Sequence, residues 1–410
     1  MIYMELKTLA KKLLFDTLED IQPEKLVKEK LKELRVDKKV YVLSIGKAAW
    51  KMAKAASDVL DIEYGIVITK YGYNFGNIEN FDIFEAGHPI PDENSLSATK
   101  FAVEKFSKLS RDDILLFLIS GGGSSTFELL QDGLSLEDLK NVTTQLLKSG
   151  ANIKEINTIR SRLSKVKGGR FLNFVKSKVI TLVLSDVLEN DLRYIASGPT
   201  YEACSTFEDA YKIIKKYNLD FNENIINVLK KDVKINKQID VEHYIIGSID
   251  IACDILEKHA RKYNLNTLVL TTRLDCEAKE AGKFIASIAK SSKLKTPYCI
   301  IFGGETVVKV KGSGKGGRNQ ELCYSAALEI ENMKDVVIAS VGTDGTDGPT
   351  DAAGAIVDGK TISKVRKFSN DPNEFLLNND TYNALKLSGD LLITGPTGTN
   401  LNDIGFILKG

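Results

Sequence analysis

The chain has 410 residues, of which 43% are hydrophobic and 27% are charged, which is ordinary for a folded protein and excludes a disordered chain. The 56 Lys and Arg residues nearly balance the 55 Asp and Glu residues, and the net charge of +1 gives no support for a protein that wraps nucleic acid. Because one domain usually holds roughly 100–200 residues, the length predicts two domains.

The scarcity of certain residue types excludes several kinds of site. The five cysteines are dispersed and form no C-x-x-C pair, which indicates free thiols in a reducing compartment rather than a disulfide framework or a zinc site. With three histidines, a His-based metal centre or a Ser-His-Asp triad is not favoured. The apolar run at residues 114–119 is too short to span a bilayer, and the acidic, amphipathic N-terminal segment lacks the pattern of a signal peptide. We therefore expect a cytoplasmic protein with no membrane association.

In the N-terminal half, short β-rich runs alternate with helical patterns. An amphipathic helix comes first, and an alanine-rich helix follows the first strand. This alternation predicts βαβ units and a mostly parallel sheet. Because ligands of open α/β sheets bind beyond the carboxyl ends of the strands, the loops after the strands are the places where a site is expected. The predicted strands are residues 40–45, 65–69, 81–85, 114–120 and 179–185.

The composition changes between about residues 212 and 241, where the chain is polar and rich in Lys and Asn and carries no strand signal. We place the domain boundary there, which gives an N-terminal domain of residues 1–238 and a C-terminal domain of residues 239–410. Strand and helix patterns alternate again beyond the boundary, so a second α/β domain is predicted. The predicted strands of the second half include residues 243–248, 267–272, 298–305 and 306–311, a run before residue 345, and two runs near the C terminus.

The first loop with chemical potential is SGGGSS, between a predicted strand and a helix. Three glycines allow tight curvature and close approach of a ligand, and successive N–H groups at a helix start attract an anion. Taken alone, the loop is equally consistent with a flexible turn that ends in a serine cap. Its residues are Ser120, Gly121, Gly122, Gly123, Ser124 and Ser125.

A second glycine-rich loop covers residues 312–320 and contains G-x-G-x-x-G, which raises the possibility of a dinucleotide site. We reject that site because the preceding predicted strand, residues 306–311, alternates with lysines, whereas the first strand of a dinucleotide fold is buried. Lys315 and Arg318 instead suit terminal phosphates or a carboxylate. Taken alone, an exposed glycine hairpin with solvated charges is the simpler alternative.

Acidic residues and cations stand at several further strand ends. Asp344, Asp347 and Asp351 follow a predicted strand, and such clusters suit Mg²⁺, although some of these acids are expected only to cap turns. Lys47 begins a helix, where the dipole disfavours a cation unless an anion is near. Asp186 and Glu305 each follow another strand. Glycine loops, cations and carboxylates at neighbouring strand ends are the groups that phosphoryl transfer uses.

At these residues the sequence resembles the class II glycerate kinase family, whose C-terminal part is known as the MOFRL domain. The resemblance implies a Rossmann-like domain with a mostly parallel sheet, a second, smaller MOFRL-type α/β domain, and an active site in the cleft between them. It also implies ATP-dependent phosphorylation of the 2-hydroxyl of D-glycerate, giving 2-phosphoglycerate and ADP, with Lys47 and Arg318 at positions implicated in catalysis. The matching stretches are SIGKAA, GHPIPDENS, ISGGGSS, LSDV, ASGPT, FGGETVV, GKGGRNQE, GTDGTDGPTDAAGA and GPTGTNLNDI.

We therefore hypothesise that SGGGSS, with Gly316 and Gly317, holds the ATP phosphates, and that Lys47 neutralises charge on the transferred group. Arg318 is expected to bind the substrate carboxylate, with Arg160 as a second candidate. Mg²⁺, or another divalent cation, is expected near carboxylates, one of which also accepts the hydroxyl proton; we choose Asp186 for that role. The proposed metal ligands are Asp186, Glu305 and Asp344.

A reductase and a non-catalytic nucleotide-binding module are the two alternatives to a kinase. An NAD(P)H-dependent hydroxypyruvate reductase would need a nicotinamide site and an acid or base such as histidine, and we interpret His88 as structural. A non-catalytic nucleotide-binding module would account for the glycine loops but not for the surplus of cations and acids. The expected partners are D-glycerate and ATP, without nucleic acid, and a homodimer would be in keeping with the symmetry of most oligomers.

Overall fold

The computed structural model describes residues 5–36, 39–202, 205–231, 235 and 238–410, so that Cys204 lies outside the described residues. The chain forms two compact units. The N-terminal unit is Pro23–Ile246, and the C-terminal unit consists of the segment up to Gln22 together with Gly247–Gly410. None of the described helices has the length and apolarity that crossing a bilayer requires.

The first helix, α1, is Leu6–Asp20 and belongs to the C-terminal unit. The elements of the N-terminal unit follow in chain order as α2 (Pro23–Leu34), β1 (Val40–Ile45), α3 (Ala49–Ser57), β2 (Ile62–Lys70), β3 (Phe81–Ala86), α4 (Glu93–Phe106), β4 (Ile114–Ile119), α5 (Gly123–Thr126), α6 (Leu136–Lys148), α7 (Ile153–Leu163), β5 (Lys178–Leu184), α8 (Phe207–Tyr217), α9 (Glu223–Lys230) and β6 (Val241–Gly247). Short 3₁₀ turns occupy Arg170–Phe174 and Ile195–Ser197.

The sheet of the N-terminal unit has the strand order β3-β2-β1-β4-β5-β6, and the strand pairs from β3 to β5 are parallel. This is the order of doubly wound nucleotide-binding domains, so the prediction of a Rossmann-like, mostly parallel sheet is confirmed. Its central strands are almost continuously apolar and buried because helices cover both faces. The strand order reverses between β1 and β4, and ligands of such sheets bind beyond the carboxyl ends at that point.

The C-terminal unit continues with α10 (Ile249–Lys262), β7 (Asn266–Leu274), α11 (Ala278–Ser291), β8 (Tyr298–Gly304), α12 (Arg318–Glu329), β9 (Val336–Gly342), β10 (Gly354–Asp358), α13 (Thr361–Val365), α14 (Asn373–Leu377), α15 (Thr381–Ser388), β11 (Leu391–Leu392) and β12 (Asp403–Lys409). Its sheet has the order β11-β10-β9-β12-β8-β7, in which only β7 and β8 pair in parallel among the described strands. The predicted second α/β domain is therefore confirmed, with a mainly antiparallel sheet.

The two compact units differ from the predicted domain ranges, 1–238 and 239–410, at two places. Strand β6 pairs at the edge of the first sheet, so the chain leaves the N-terminal unit after residue 246. Helix α1 buries Leu13 and Leu14 against the C-terminal unit, and its Lys7 ammonium lies 2.6 Å from the Asp390 carboxylate. Local sequence patterns cannot reveal this, because an amphipathic helix does not specify which core it covers.

The polar stretch near residues 212–241, where the domain boundary was predicted, contains most of α8 together with α9, whose apolar faces pack into the N-terminal unit. One local prediction is wrong. The predicted strand at residues 306–311 is absent: Val307 and Val310 are 56% and 73% exposed, and only an isolated bridge joins Val307 to Glu277. The alternation of apolar and charged residues did not produce a strand there, because no described strand pairs with the segment.

The placement of α1 can be tested with Leu13→Ala, which removes a fully buried side chain from its inner face. We expect a loss of about 2–5 kcal/mol in the free energy of unfolding. Hydrogen-exchange mass spectrometry should show faster exchange in α10, β9 and β10 but not in β1 and β4. Lys12→Ala, on the exposed face, is the matched control and should change little. Faster exchange confined to the N-terminal unit would contradict this placement.

Candidate active site

The loops after β1 and β4 interlock at the point where the strand order reverses. Lys47 donates its backbone N–H to Gly121 O at 2.9 Å, and the Ala48 N–H donates to Ser120 Oγ at 3.0 Å. Gly46 has φ of +102°, and a side chain there would collide with the Ser120 carbonyl oxygen. Glycine is therefore required at residue 46, and the structure brings together two sites, Lys47 and SGGGSS, that were identified separately from the sequence.

The SGGGSS loop folds into one tight turn that ends in α5. Gly122 has φ of +85°, Gly123 donates its N–H to Ser120 O, and Ser125 donates its N–H to Gly122 O. The N–H groups of Gly121 and Gly122 donate to no described acceptor. The loop therefore offers backbone donors at the carboxyl edge of the sheet, as a phosphate-binding loop requires.

The Asp186 carboxylate lies directly against this loop. A side chain at Gly121 would overlap Asp186 Oδ2, so the glycine permits the carboxylate to approach the backbone. Asp186 follows β5, the neighbour of β4 in the sheet, and is partly exposed. The structure thus places the predicted general base beside the predicted phosphate loop.

His88 is a site residue whose position the sequence did not reveal. Its imidazole lies against Gly122, where an added side chain would come within 2.8 Å of His88 Cδ2 and 3.2 Å of Lys47 Cγ. Burial, aided by the nearby charges of Lys47 and Lys70, lowers the pKa of His88 to about 4. His88 is therefore a neutral imidazole near pH 7. Its place just after β3, at the same sheet edge, was the signal that could have identified it.

A chain of polar side chains extends from the loop to α7. Ser124 Oγ lies 2.8 Å from Ser197 Oγ, which donates to Asn157 Oδ1 at 3.4 Å. Ala196 and Ser197 both have positive φ, of 49° and 59°, a conformation that costs non-glycine residues of order 1–3 kcal/mol each. A hydrogen bond from the Gly168 N–H to Ser197 O, at 2.9 Å, stabilises this backbone conformation. The strained backbone therefore aims Ser197 at the loop.

Arg160 and a buried ion pair lie next to this chain. Arg160 is one turn beyond Asn157 on α7, and its buried Nε has no hydrogen-bond partner among the described residues. Lys167 and Glu128 are fully buried and form an ion pair. Burial lowers the pKa of Lys167 to about 8. The positive charge of Arg160 also lowers this pKa, whereas the negative charge of Glu128 raises it.

In the C-terminal unit, Arg318 begins α12 and binds two carboxylates. Its Nε and Nη2 donate to Asp403 at 2.6 and 3.0 Å, and its Nη1 donates to Glu305 at 2.8 Å. Asn402 holds the other Glu305 oxygen at 3.1 Å. Burial raises the pKa of Asp403 to about 6, although Arg318 favours its ionised form. The structure brings Arg318 and Glu305 together, but the guanidinium edge expected to bind a substrate carboxylate is already used by Asp403.

The three clustered aspartates have different roles in this structure. Asp347 is buried and caps α12, accepting from the N–H groups of Asn319 and Gln320 at 3.1 and 2.9 Å. Asp351 accepts from the Tyr382 hydroxyl, whereas Asp344 Oδ1 accepts from the Thr346 N–H. The expectation that some of these acids only cap turns is confirmed, and Asp344 stays the proposed metal ligand.

Backbone N–H groups at the start of the second glycine loop donate hydrogen bonds to the segment just before α15. The N–H groups of Lys311 and Gly312 donate to Asn379 Oδ1, and that of Ser313 donates to Asn378 Oδ1. A side chain at Gly317 would overlap the Asp347 carboxylate. These amides are therefore not available as an anion nest, and phosphate binding by Gly316 and Gly317 stays a prediction.

The described residues contain no group of three or more His, Cys, Asp or Glu side chains that could hold a metal ion by themselves. A Mg²⁺ ion held mainly by phosphate oxygens needs only one or two protein carboxylates. Asp186 beside the glycine loop, and Asp344 with one oxygen engaged, have the appropriate chemistry.

The contact between His88 and Lys47 can be tested by NMR titration of the histidine C–H signals. We expect His88 to titrate near pH 4 in the wild type. In Lys47→Ala its pKa should rise but stay below the usual value of about 6.5, because one nearby positive charge is removed while burial, the largest cause, and Lys70 remain. A wild-type His88 that titrates at its usual pKa, or one that Lys47→Ala leaves unmoved, would contradict the arrangement.

The buried ion pair of Lys167 and Glu128 predicts that substitutions of the two residues have non-additive effects on the free energy of unfolding. Lys167→Met should lower the free energy of unfolding by about 3–5 kcal/mol, because Glu128 is left charged and buried. The double variant Lys167→Met/Glu128→Gln should recover at least half of that loss in a urea titration. A double variant as unstable as the single one would show that the cost comes from packing rather than charge.

Comparisons with known proteins identify the family of the chain. The family DUF4147, described as a domain of unknown function, matches residues 9–230, and the MOFRL family matches residues 298–403. A protein of Thermotoga maritima named D-glycerate 2-kinase is 51% identical over 407 residues, which cover 97% of each chain. A relative from Agrobacterium vitis with the provisional name hydroxypyruvate reductase is 38% identical and covers 90% of this chain and 87% of that relative.

The fold comparison gives the same result. A crystal structure of glycerate kinase from Thermotoga maritima has a TM-score of 0.95 and 50% identity to this chain, and it covers 99% of both chains. The resemblance deduced from the motifs is therefore confirmed. The chain belongs to the glycerate 2-kinase family whose C-terminal part is the MOFRL domain.

Proposed function

We propose that the protein is an ATP-dependent kinase that phosphorylates the 2-hydroxyl of D-glycerate, giving 2-phosphoglycerate and ADP with the help of Mg²⁺. The observation that carries the proposal is the interlocking of Lys47 with the SGGGSS loop where the strand order reverses. Family membership supplies the substrate, because the Thermotoga maritima relative is named D-glycerate 2-kinase.

The glycine loop and Lys47 bind the phosphates in this proposal. The N–H groups of Gly121 and Gly122 supply neutral donors, and the Ser124 hydroxyl, 2.8 Å from Ser197 Oγ, is a further candidate donor. The Ser125 hydroxyl already donates to Pro89 O at 2.6 Å, so Ser125 can contribute its hydroxyl only if that bond is exchanged. Lys47 supplies the positive charge that stabilises the transferred phosphoryl group as its bond to ADP breaks. Because His88 beside it stays neutral near pH 7, it adds no second charge to the site. Positioning and charge stabilisation of this kind account for most catalysis by kinases.

Asp186 is the proposed acceptor of the hydroxyl proton. The 2-hydroxyl oxygen forms a bond to the γ-phosphorus, the bond from phosphorus to the β,γ-bridging oxygen breaks, and the hydroxyl proton passes to a carboxylate oxygen. Asp186 suits this role because it touches the glycine loop and is partly exposed. A bound Mg²⁺ would offset the charge of the phosphate oxygens, and Asp186, Glu305 and Asp344 are the proposed residues near it.

Arg318 is a second proposed catalytic cation. Three of its five N–H groups donate to Asp403 and Glu305, which leaves one on each terminal nitrogen. Those two groups can still donate to an anionic oxygen, while the two carboxylates fix the orientation of the guanidinium.

A reductase is the less well supported function. The only G-x-G-x-x-G considered from the sequence, in residues 312–320, follows no described strand, and the backbone at its start is bound to Asn378 and Asn379. A dinucleotide site requires such a loop directly after a buried strand. The observed fold therefore gives a second reason to reject nicotinamide binding there.

The proposal is tested by the product. Purified protein is incubated with D-glycerate, ATP and Mg²⁺, and its phosphorus NMR spectrum is compared with authentic 2- and 3-phosphoglycerate. We expect 2-phosphoglycerate that forms only when Mg²⁺ is present. Oxidation of NADH or NADPH by hydroxypyruvate, without any phosphoglycerate, would replace the kinase with the reductase.

The role of Lys47 is tested by Lys47→Ala. We expect kcat/KM to fall about 10²–10³-fold, the usual effect of one preorganised electrostatic contact. Lys54→Ala, on the exposed part of the helix that follows Lys47, is the matched control and should retain activity. Near-normal turnover by Lys47→Ala would exclude the assigned role.

A further inference from the structure

Arg160 is a cation without an ion-pair partner in the part of the chain that the structure describes. The residue is only partly exposed, and its Nε is buried without a hydrogen-bond partner. Glu128 is the carboxylate whose charge acts on Arg160, and that carboxylate is already paired with Lys167. Charged side chains are rarely buried unless they are paired, because desolvation is costly. An arginine in this state is suited to an anion that comes from outside the chain.

Arg160 lies near a residue that hydrogen bonds connect to the glycine loop. Asn157 and Arg160 are three residues apart on α7, so their side chains project from the same face of the helix. Asn157 contacts Ser197 Oγ, which lies 2.8 Å from Ser124 Oγ of the loop. The strained backbone at residues 196–197 supports this connection. An anion bound by Arg160 would therefore lie within the N-terminal unit, next to the group that is proposed to hold the phosphates.

The ion pair behind Arg160 keeps its charge available. Glu128 attracts Arg160, but Lys167 neutralises Glu128, so the three groups retain one net positive charge. Burial lowers the pKa of Arg160, yet an arginine remains charged at neutral pH because its ordinary pKa exceeds about 12. The positive charge is thus present before any ligand binds.

Arg318, the other arginine expected to bind the substrate carboxylate, is less suitable. Its Nε and one terminal nitrogen already donate hydrogen bonds to Asp403, and the other terminal nitrogen donates to Glu305. Two parallel N–H groups on one edge are what a carboxylate requires for bidentate binding. In Arg318 the edge formed by Nε and Nη2 is occupied by Asp403, whereas Arg160 donates no hydrogen bond to any described residue.

We infer that Arg160 binds the carboxylate of the substrate and thereby determines that the enzyme accepts a hydroxy acid rather than an uncharged polyol. The inference rests on the proposed function and deepens it. Lys167 and Glu128 are positioning residues: they do not touch the substrate, and the charge of Glu128 attracts the Arg160 guanidinium. The 2-hydroxyl of the acid is then directed toward the loop and its phosphates.

The test measures the binding of D-glycerate to the full-length protein by calorimetry, together with KM and kcat. Arg160→Gln should weaken D-glycerate binding about 10²-fold, and Arg160→Lys, which keeps the charge but loses the planar fork, about 10-fold. KM for D-glycerate should rise in parallel, while the affinity for ATP should stay within about threefold of wild type. Lys154→Gln, on the exposed side of the same helix, removes an equal charge as the matched control and should leave D-glycerate binding unchanged.

The outcomes separate this inference from the proposed function. A wild-type enzyme that makes 2-phosphoglycerate, with Arg160→Gln and Arg160→Lys both retaining their affinity for D-glycerate, would overturn only the role of Arg160. Equal loss of ATP and D-glycerate binding in the folded Arg160→Lys variant would also overturn it, because that pattern indicates a structural role. A wild-type protein that binds no D-glycerate would overturn both.

Discussion

The parallel pairing of β1 with β4 is the constraint on which the active-site geometry depends. These strands pair residue by residue from Val40 with Ile114 to Ile45 with Ile119, so their loops begin side by side at one edge of the sheet. The side chains of β1 and β4 are buried on both faces of the sheet, so a shift in that register would require the close-packed core on both faces to repack. The position of Lys47 relative to the SGGGSS loop is thus a consequence of how the core packs.

Glycines make this contact between loops possible. Gly46 lies so close to Ser120, and Gly121 so close to Asp186, that a side chain at either residue would meet an oxygen atom. In the proposed function, this close packing lets backbone N–H groups, rather than mobile side chains, face a bound phosphate. Such donors need little reorganisation when a charged ligand arrives, which is the physical basis of electrostatic catalysis.

Charge is distributed differently in the two units. In the N-terminal unit, Lys167 and Glu128 neutralise each other in the core and leave Arg160 with a net positive charge. In the C-terminal unit, two carboxylates surround Arg318, so its charge is largely compensated before a substrate binds. The same residue type therefore retains a net positive charge in one unit and is largely compensated by carboxylates in the other.

Much of the fold and part of the site could be predicted from the sequence. Buried strands such as β1 and β4 were located correctly because a short apolar run that ends in a glycine loop is typical of a buried strand. Sequence patterns could not place α1 in the C-terminal unit, since an amphipathic helix does not identify its partner core. They also predicted a strand at residues 306–311 and gave no sign that His88 lies against Gly122. Each of these features depends on contacts between segments distant in sequence, which local patterns do not contain.

The central claim is that the SGGGSS loop, and not the glycine loop at residues 312–320, binds the nucleotide phosphates. Hydrogen exchange of the wild-type protein with and without a non-hydrolysable ATP analogue and Mg²⁺ tests this claim most directly. We expect slower exchange at residues 120–126 and around Lys47 when the analogue is bound. Protection confined to residues 311–320, with residues 120–126 unchanged, would contradict the claim.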